Sequence, residues 1–494
     1  MLDLQRISRE GDSNFDVSLE GAPTLHCLEV VRRIAGRRLV CRGVWQGQAV
    51  FAKLFIGNRA QRYADRDAQG AKALISHQLL APELLYEGNI ADQPGVALIY
   101  AYVAESQNAE GVWQGADAQQ RRLLADALVR TVARHHAAGL VQTDLYPRNF
   151  LCTDAGIYTL DGDGIRIHRH PIPQRLSMAN LALLLSKFDV LDDVRIPELL
   201  RIYAEARGLP QNNIEPEALH SRVQALRRAM AQKNVHRKVL RDCSDIRVDM
   251  RFNRFLAVVR NLQNDDLQQV IDDPDAYLDA PDCQRLKNGN TCTVGLVQAG
   301  ARKIVIKRYN IKNFWHGLNR SLRATRASVS WSNAHLLRAF EIATPAPLAL
   351  IERRWGPFRR EGYFLTEFVA GPDITDVFDD EALPDEGKKE IAIAVAQLLR
   401  KLYLLKIEHG DMKATNLKLV DGKPLVLDLD AMKMHCCDRW FKRRHARDLR
   451  RFLKNWHNAP EILRMLKSAL MTAYGDDPVL KMAGITQHDT SEYK

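Results

Sequence analysis

Two segments of this 494-residue chain carry the same polar residues at the same intervals. In the segment 141–149 Asp144 stands five residues before Asn149, and in 408–416 Asp411 stands five residues before Asn416. Twelve residues beyond each Asn comes a further Asp: Asp161, followed by Asp163, in the first copy, and Asp428, followed by Asp430, in the second. One Asp-x4-Asn by itself reads as a turn or a helix cap. Two copies with identical offsets, each after a helical run and before a short apolar strand, constrain the chain to two similar units.

The offsets suit phosphoryl transfer. That reaction needs a carboxylate to orient the attacking hydroxyl and take its proton, a neutral oxygen ligand for Mg2+, and a second carboxylate between the metal and the nucleotide phosphates. Asp144, Asn149 and Asp161 fit these roles in the first copy, and Asp411, Asn416 and Asp428 in the second. Asp163 and Asp430 are either additional metal ligands or caps of the following turn. The implied cofactors are ATP and Mg2+.

Length accommodates a tandem: 494 residues exceed one core and suit two domains of about 250 each. The predicted fold is α+β, with two tandem protein-kinase-like domains, each a small antiparallel β-sheet lobe and a mainly helical lobe. The boundaries are placed at 1–245 and 276–494, joined by a helical connector over 246–275, because 232–250 is polar and strongly charged. Alternating apolar and basic residues around 29–56 and 285–309 lead to Lys53 and Lys307 on short apolar strands, where a lysine needs a partner and where a kinase holds the nucleotide's α and β phosphates. The turns before them, including Gly289, would cover the phosphates, although neither is a full Gly-x-Gly-x-x-Gly. The helix after each lysine offers Asp67 or Gln69 as partner in the first copy, and Ser330 or Asn333 in the second. The segment 363–368, with Glu367, reads as the strand and hinge that carry the adenine. Helices with apolar spacing of three and four are predicted over 121–138 and 387–406.

Composition excludes other classes. No basic leader followed by an apolar stretch opens the chain, and no run approaches the roughly 18 apolar residues of a membrane span, so a cytoplasmic protein is expected. The eight cysteines lack a paired metal spacing and read as reduced and mostly structural, Cys436 and Cys437 included. Residues 1–250 hold 32 basic against 29 acidic side chains and 251–494 hold 39 against 31, so most of the net charge of +11 lies in the second half. Eight basic and no acidic residues fall in 301–330, and further clusters are 353–354 with 359–360, and 442–451. Such fields attract anions, but no nucleic-acid-binding signature accompanies them and no nucleic acid is expected.

Thr143 and Gly410 precede the two loop aspartates where protein kinases place Arg, and no Ala-Pro-Glu follows the metal Asp, which favours a small-molecule or glycan acceptor. Taken with Val50-Phe-Ala-Lys-Leu-Phe55, Ser330-Trp-Ser-Asn-Ala-His335, Thr344-Pro-Ala-Pro-Leu-Ala349 and the loops already quoted, the chain resembles the lipopolysaccharide core kinases that phosphorylate heptose or Kdo sugars, as a two-domain member. That resemblance implies a sugar hydroxyl of lipid-linked core as acceptor, at the cytoplasmic face of the inner membrane, with peripheral contact to that anionic surface. The second copy carries the fuller set, with His409 bracing the loop, Asp411 as base and Lys413 near the transferred phosphate. Gln142 and Tyr146 replace His409 and Lys413 in the first, which is expected to be active or at least to bind nucleotide. The rival readings are a nucleotide-binding scaffold built from two inactive kinase-like domains and regulating core assembly, and a kinase acting on a small, aminoglycoside-like alcohol.

Overall fold

The computed structural model describes residues 3–9, 13–210, 215–310 and 324–486. The chain divides into two compact units, residues 1–188 with 192–226, and residues 189–191 with 227–494. The division falls inside the helix Pro216–Arg237, ahead of the polar stretch expected to mark it.

The first unit opens with an antiparallel sheet of six strands in the spatial order Phe15–Leu19, Ala22–Ile34, Arg38–Trp45, Gln48–Ile56, Gly95–Ala101, Leu84–Asn89. Its strands alternate: Leu39 and Cys41, like Val50, Ala52 and Leu54, point into one buried face. The helix Ala60–Ser76 packs on the other side through Ala60, Ala64, Ala68 and Ala71. Small residues on that stripe let it approach closely. A methyl added at Gly70 would overlap the Gly162 carbonyl oxygen, and one at Gly162 would overlap the carbonyl of Asp67, so helix and turn touch backbone to backbone. A mainly helical part follows. Asp117 and Gln120 form a capping box at the start of the helix Ala118–Ala137, which packs against Gln174–Leu185 and Ile196–Arg207 around Leu128, Leu181 and Tyr203.

The second unit is also built on an antiparallel sheet, of seven strands in the spatial order Ile246–Met250, Arg254–Val259, Pro347–Trp355, Phe358–Glu367, Arg302–Tyr309, Cys292–Ala299, Gln284–Gly289. The expected helical connector 246–275 is corrected here. Its first part forms two strands of this sheet, with Phe255, Leu256, Ala257 and Val258 buried, and only then come the helices Asp265–Asp272 and Pro274–Asp279. The charges that made 246–254 read as linker lie on a strand pair whose partner face is apolar. Thr325 caps the helix Arg326–Ala339, which packs on the sheet through Trp331 and Leu337. The helices Asp385–Leu404, Asp438–Leu453 and Pro460–Tyr474 complete the unit. Part of the basic stretch 301–330, residues 311–323, lies outside the described residues.

Candidate active sites

In the second unit Lys307 sits on the central strand Arg302–Tyr309, paired on both sides, and its amine points away from the sheet. Nζ lies 2.5 Å from Oδ1 of Asp428 and 3.4 Å from Oδ2 of Asp430. Burial works against the ammonium, but Tyr309 and the two carboxylates together outweigh it and raise its pKa. Burial pushes Asp428 up, and Lys307 more than reverses this, holding it below the usual carboxylate range. Ser330 and Asn333 do not pair with the lysine. Ser330 bonds the Tyr309 hydroxyl at 2.8 Å, and Asn333 Nδ2 donates to the carbonyls of Leu429 and Met432 at 2.9 and 3.0 Å, anchoring the turn that carries Asp428. The helix instead contributes Arg326, 2.5 Å from Asp430.

The loop is held by its own polar groups. Asn416 Nδ2 donates to the Asp411 carbonyl at 2.8 Å, and the Leu427 amide donates to the Asn416 carbonyl at 2.8 Å. His409 is buried; Nε2–H donates to the Leu427 carbonyl at 2.9 Å, while Nδ1 faces the Asp411 amide at 3.4 Å, which fixes the tautomer. The amides of His409 and Gly410 both donate to buried Asp448, at 2.8 and 3.1 Å. Gly410 has φ +84°, a conformation in which a Cβ would press on the Ala431 carbonyl. The side chain of Asp411 is partly buried, with Lys413 Nζ 3.4 Å from Oδ2 and Arg451 in ion-pair contact with Oδ1.

A cavity of about 460 Å³ lies over these groups. Lys287 and Val294 of the first hairpin line its top, Phe364 and Glu367 its side, Asn416 and Asp428 its floor. Gly289 ends the strand Gln284–Gly289 at its turn to Cys292–Ala299 but is not among the lining residues.

The first unit reproduces this arrangement with different side chains at several points. Lys53 Nζ lies 2.6 Å from Asp67 Oδ2 and 3.2 Å from Asp161 Oδ1. Asp67, one of the two partners expected from sequence, is fully buried and also accepts from the Tyr100 hydroxyl at 2.5 Å. Burial pushes Asp161 up, but Lys53 and Arg38, the latter at 3.6 Å, hold it down to about 2. Asp163 pairs with Arg66 as Asp430 does with Arg326. Asn149 Nδ2 donates to the Asp144 carbonyl at 2.8 Å and the Leu160 amide to the Asn149 carbonyl at 2.8 Å, the same two bonds at the same lengths. Gln142 Nε2 takes the place of the histidine ring and donates to the Leu160 carbonyl at 3.3 Å. Asn180 replaces Asp448, donating to the Gln142 carbonyl at 2.9 Å. Asp161 and Asp428 share a left-handed backbone, φ +63° and +56°, uncommon for a residue with a side chain. Tyr146 stands where Lys413 stands, and Lys187, reaching in from beyond the helix Gln174–Leu185, lies 3.7 Å from its ring centroid. Burial brings Lys187 down to about 8 against the pull of Asp144. A cavity of about 410 Å³ is lined by Lys53, Asp67, Tyr100, Asn149 and Asp161.

The donor sets fit a hard cation. Among the described residues no three His, Cys, Asp or Glu side chains cluster as a metal cage. In each unit an Asn whose Nδ2 is committed, leaving Oδ1 as its coordinating atom, and an ionised Asp share a cavity. One or two carboxylates with an amide oxygen, completed by phosphates and water, is the set Mg2+ takes. Sequence reasoning missed Arg38, Arg66, Tyr100, Lys187, Arg326 and Arg451, all distant in sequence from the loops they meet.

Residues 284–474 match the family model described as the lipopolysaccharide kinase (Kdo/WaaP) family. No curated protein matches the chain.

Proposed function

With residues 284–474 belonging to a family of lipopolysaccharide kinases, and hence of phosphotransferases, we propose that the second unit transfers the γ-phosphoryl group of ATP to a sugar hydroxyl of the lipopolysaccharide core at the cytoplasmic face of the inner membrane. The observation that carries this reading is the meeting of Lys307 with Asp428 at 2.5 Å in a cavity floored by Asn416. Three segments far apart in sequence converge there on groups suited to a nucleotide.

Asp411 orients the acceptor hydroxyl and takes its proton as the oxygen attacks the γ-phosphorus and the bond to the departing ADP breaks. Lys413 stands beside Asp411, where the transferred group passes. Lys307 holds the α and β phosphates, and Glu367 with the backbone of 366–369 borders the adenine. Asn416, Asp428 and Asp430 hold Mg2+, which, when bound, neutralises charge on the phosphates. His409 and Asp448 act on the loop's position and not on the substrate.

The first unit is read as a second nucleotide site of the same class, with Lys53, held in place by Asp67, for the phosphates, Asn149, Asp161 and Asp163 toward Mg2+, and Asp144 as base. Its support is the recurrence of the Asn149 and Gln142 hydrogen bonds described above. Retention of both loops favours turnover over a scaffold. Among the described residues no helix is long and apolar enough to cross a membrane.

The test is transfer of labelled phosphate from ATP with Mg2+ to dephosphorylated lipopolysaccharide core. Wild type is expected to label the core and Asp411→Ala to abolish labelling, with Asp144→Ala reporting the share of the first unit. Full activity in Asp411→Ala would remove the assignment to the second unit. No labelling by any protein would turn the reading toward another acceptor.

A further inference from the structure

Among the described residues of the second unit, three of the four most exposed large apolar side chains stand together, Trp440 being the fourth. Met250 is 72% exposed, Phe252 65% and Trp355 64%, and all three stand at the adjoining tips of two hairpins, one joining Ile246–Met250 to Arg254–Val259 and the other joining Pro347–Trp355 to Phe358–Glu367. The tips are tied together. The Gly356 amide donates to the Phe252 carbonyl at 2.9 Å and the Arg354 amide to the Asn253 carbonyl at 2.8 Å. Phe252 packs edge-on to Trp355 at 5.9 Å, and Trp355 stacks on Phe358 at 6.0 Å. An aromatic wedge is thus held rigid with its large faces in water, an arrangement that monomers seldom keep without a use.

Arginines surround it. Residues 249–254 and 352–361 hold six, Arg251, Arg254, Arg353, Arg354, Arg359 and Arg360, against three acids, Asp249, Glu352 and Glu361. Glu352 is buried under Arg354 and Arg359 and is spent inside the sheet. Arg251, in the turn after Ile246–Met250, and Arg360 are about two-thirds exposed and pair with near neighbours in sequence, Asp249 at 3.0 Å and Glu361 at 3.7 Å. Such exposed pairs are weak and exchange readily for a better acceptor. A guanidinium binds phosphate in bidentate fashion, and Trp and Phe settle at the boundary between headgroups and acyl chains.

We propose that these two hairpin tips are a membrane-docking site, the aromatic wedge entering the headgroup region of an anionic phospholipid surface and the arginines binding its phosphates. The charge of the ring selects a lipid surface over an apolar protein partner, and the rigid tips enter it without an ordering cost. The site lies outside the cavity and does not rest on the phosphotransfer reading, since docking is measured without turnover.

The experiment is co-sedimentation of the full chain with vesicles of phosphatidylcholine alone and of phosphatidylcholine mixed with phosphatidylglycerol. Binding to the mixed vesicles is expected, weakening with added salt. Phe252→Ser with Trp355→Ser should reduce it tenfold or more, and each of Arg251→Gln and Arg360→Gln about fivefold, the worth of one basic residue near such a surface. These side chains are exposed, so circular dichroism and melting should match wild type. A control at another exposed aromatic, Trp440→Ser, should leave binding unchanged. Equal binding by the Phe252/Trp355 variant, no binding by wild type, or a self-association in sedimentation velocity that these substitutions abolish while vesicles are ignored, would each overturn the proposal.

Discussion

Arg451 reaches across from the helix Asp438–Leu453 to Oδ1 of Asp411, the residue proposed as base, while Lys413 stands at its other oxygen. The carboxylate is therefore covered by two cations, each a little under half exposed. An anionic acceptor would draw them off Asp411 as it arrives, coupling binding of the acceptor to release of the base.

Arg451→Ala accordingly raises the KM for a phosphorylated or carboxylated acceptor about tenfold, as loss of one charge-assisted hydrogen bond of about 1.5 kcal/mol does, and leaves the nucleotide KM unchanged. Initial rates with acceptor and ATP varied separately decide it. A shift confined to the nucleotide KM would place Arg451 on the wrong substrate.

Lys307→Ala removes the cation that holds Asp428 below the usual carboxylate range. Nucleotide affinity falls by roughly ten- to a hundredfold on the scale of a charged hydrogen bond. Lys307→Arg does not restore it, because a planar fork cannot replace a compact ammonium on a buried strand. Calorimetric titration with a non-hydrolysable nucleotide and Mg2+ measures this, and undiminished affinity in Lys307→Ala would refute it.

Gln142 already performs in the first unit the bond that His409 makes in the second. His409→Gln is thus expected to keep nearly wild-type stability, whereas His409→Leu leaves the buried Leu427 carbonyl unmet and costs about 1–3 kcal/mol. Urea unfolding of the two variants side by side checks it; equal losses in both would show that the carbonyl bond is not what the histidine supplies.

Burial lowers His445 to about 3 and His136 to about 4, against about 6.5 in an unfolded chain. Both groups are neutral in the fold and gain protons on unfolding. Their contribution is fully present above pH 6.5 and is lost as pH falls from there toward about 4 for His136 and about 3 for His445, at up to about 1.4 kcal/mol per pH unit for each histidine. Unfolding free energy measured at pH 7 and pH 5 should differ in that direction, and less so in His445→Gln. An unchanged pH difference in that variant would exclude His445 as a contributor.

The two loops were legible because their residues lie close in sequence: the offset of five becomes the Asn416 to Asp411 hydrogen bond, and the Leu427 to Asn416 bond brings the next residue, Asp428 at the offset of twelve, beside the loop. Asp67 was legible as one of two partners on the helix that follows the lysine strand. Arg326 and Arg451 were not, because a basic residue on a helix reads as a solvated face until the fold brings a carboxylate to it. Ser330 and Asn333 were assigned to Lys307 by their place on the helix, yet the turn after Asp428 supplies Asp430 and leaves them to brace backbone. Strands 246–250 and 254–259 escaped notice since their charged residues masked the apolar run of 255–258.

The braces of the two loops differ in kind. Gln142 and Asn180 have no proton to exchange, whereas Asp448 does, and burial pushes Asp448 up, so that it takes its proton at a higher pH than an ordinary carboxylate. Protonation of Asp448 weakens its hold on the amides of His409 and Gly410 and slackens one loop while the other stays taut. One chain thus holds two copies of the same brace, one built on a carboxyl that can take a proton and one on an amide that cannot, and acidification reaches the second loop by a route through Asp448 that the Asn180 amide does not offer the first.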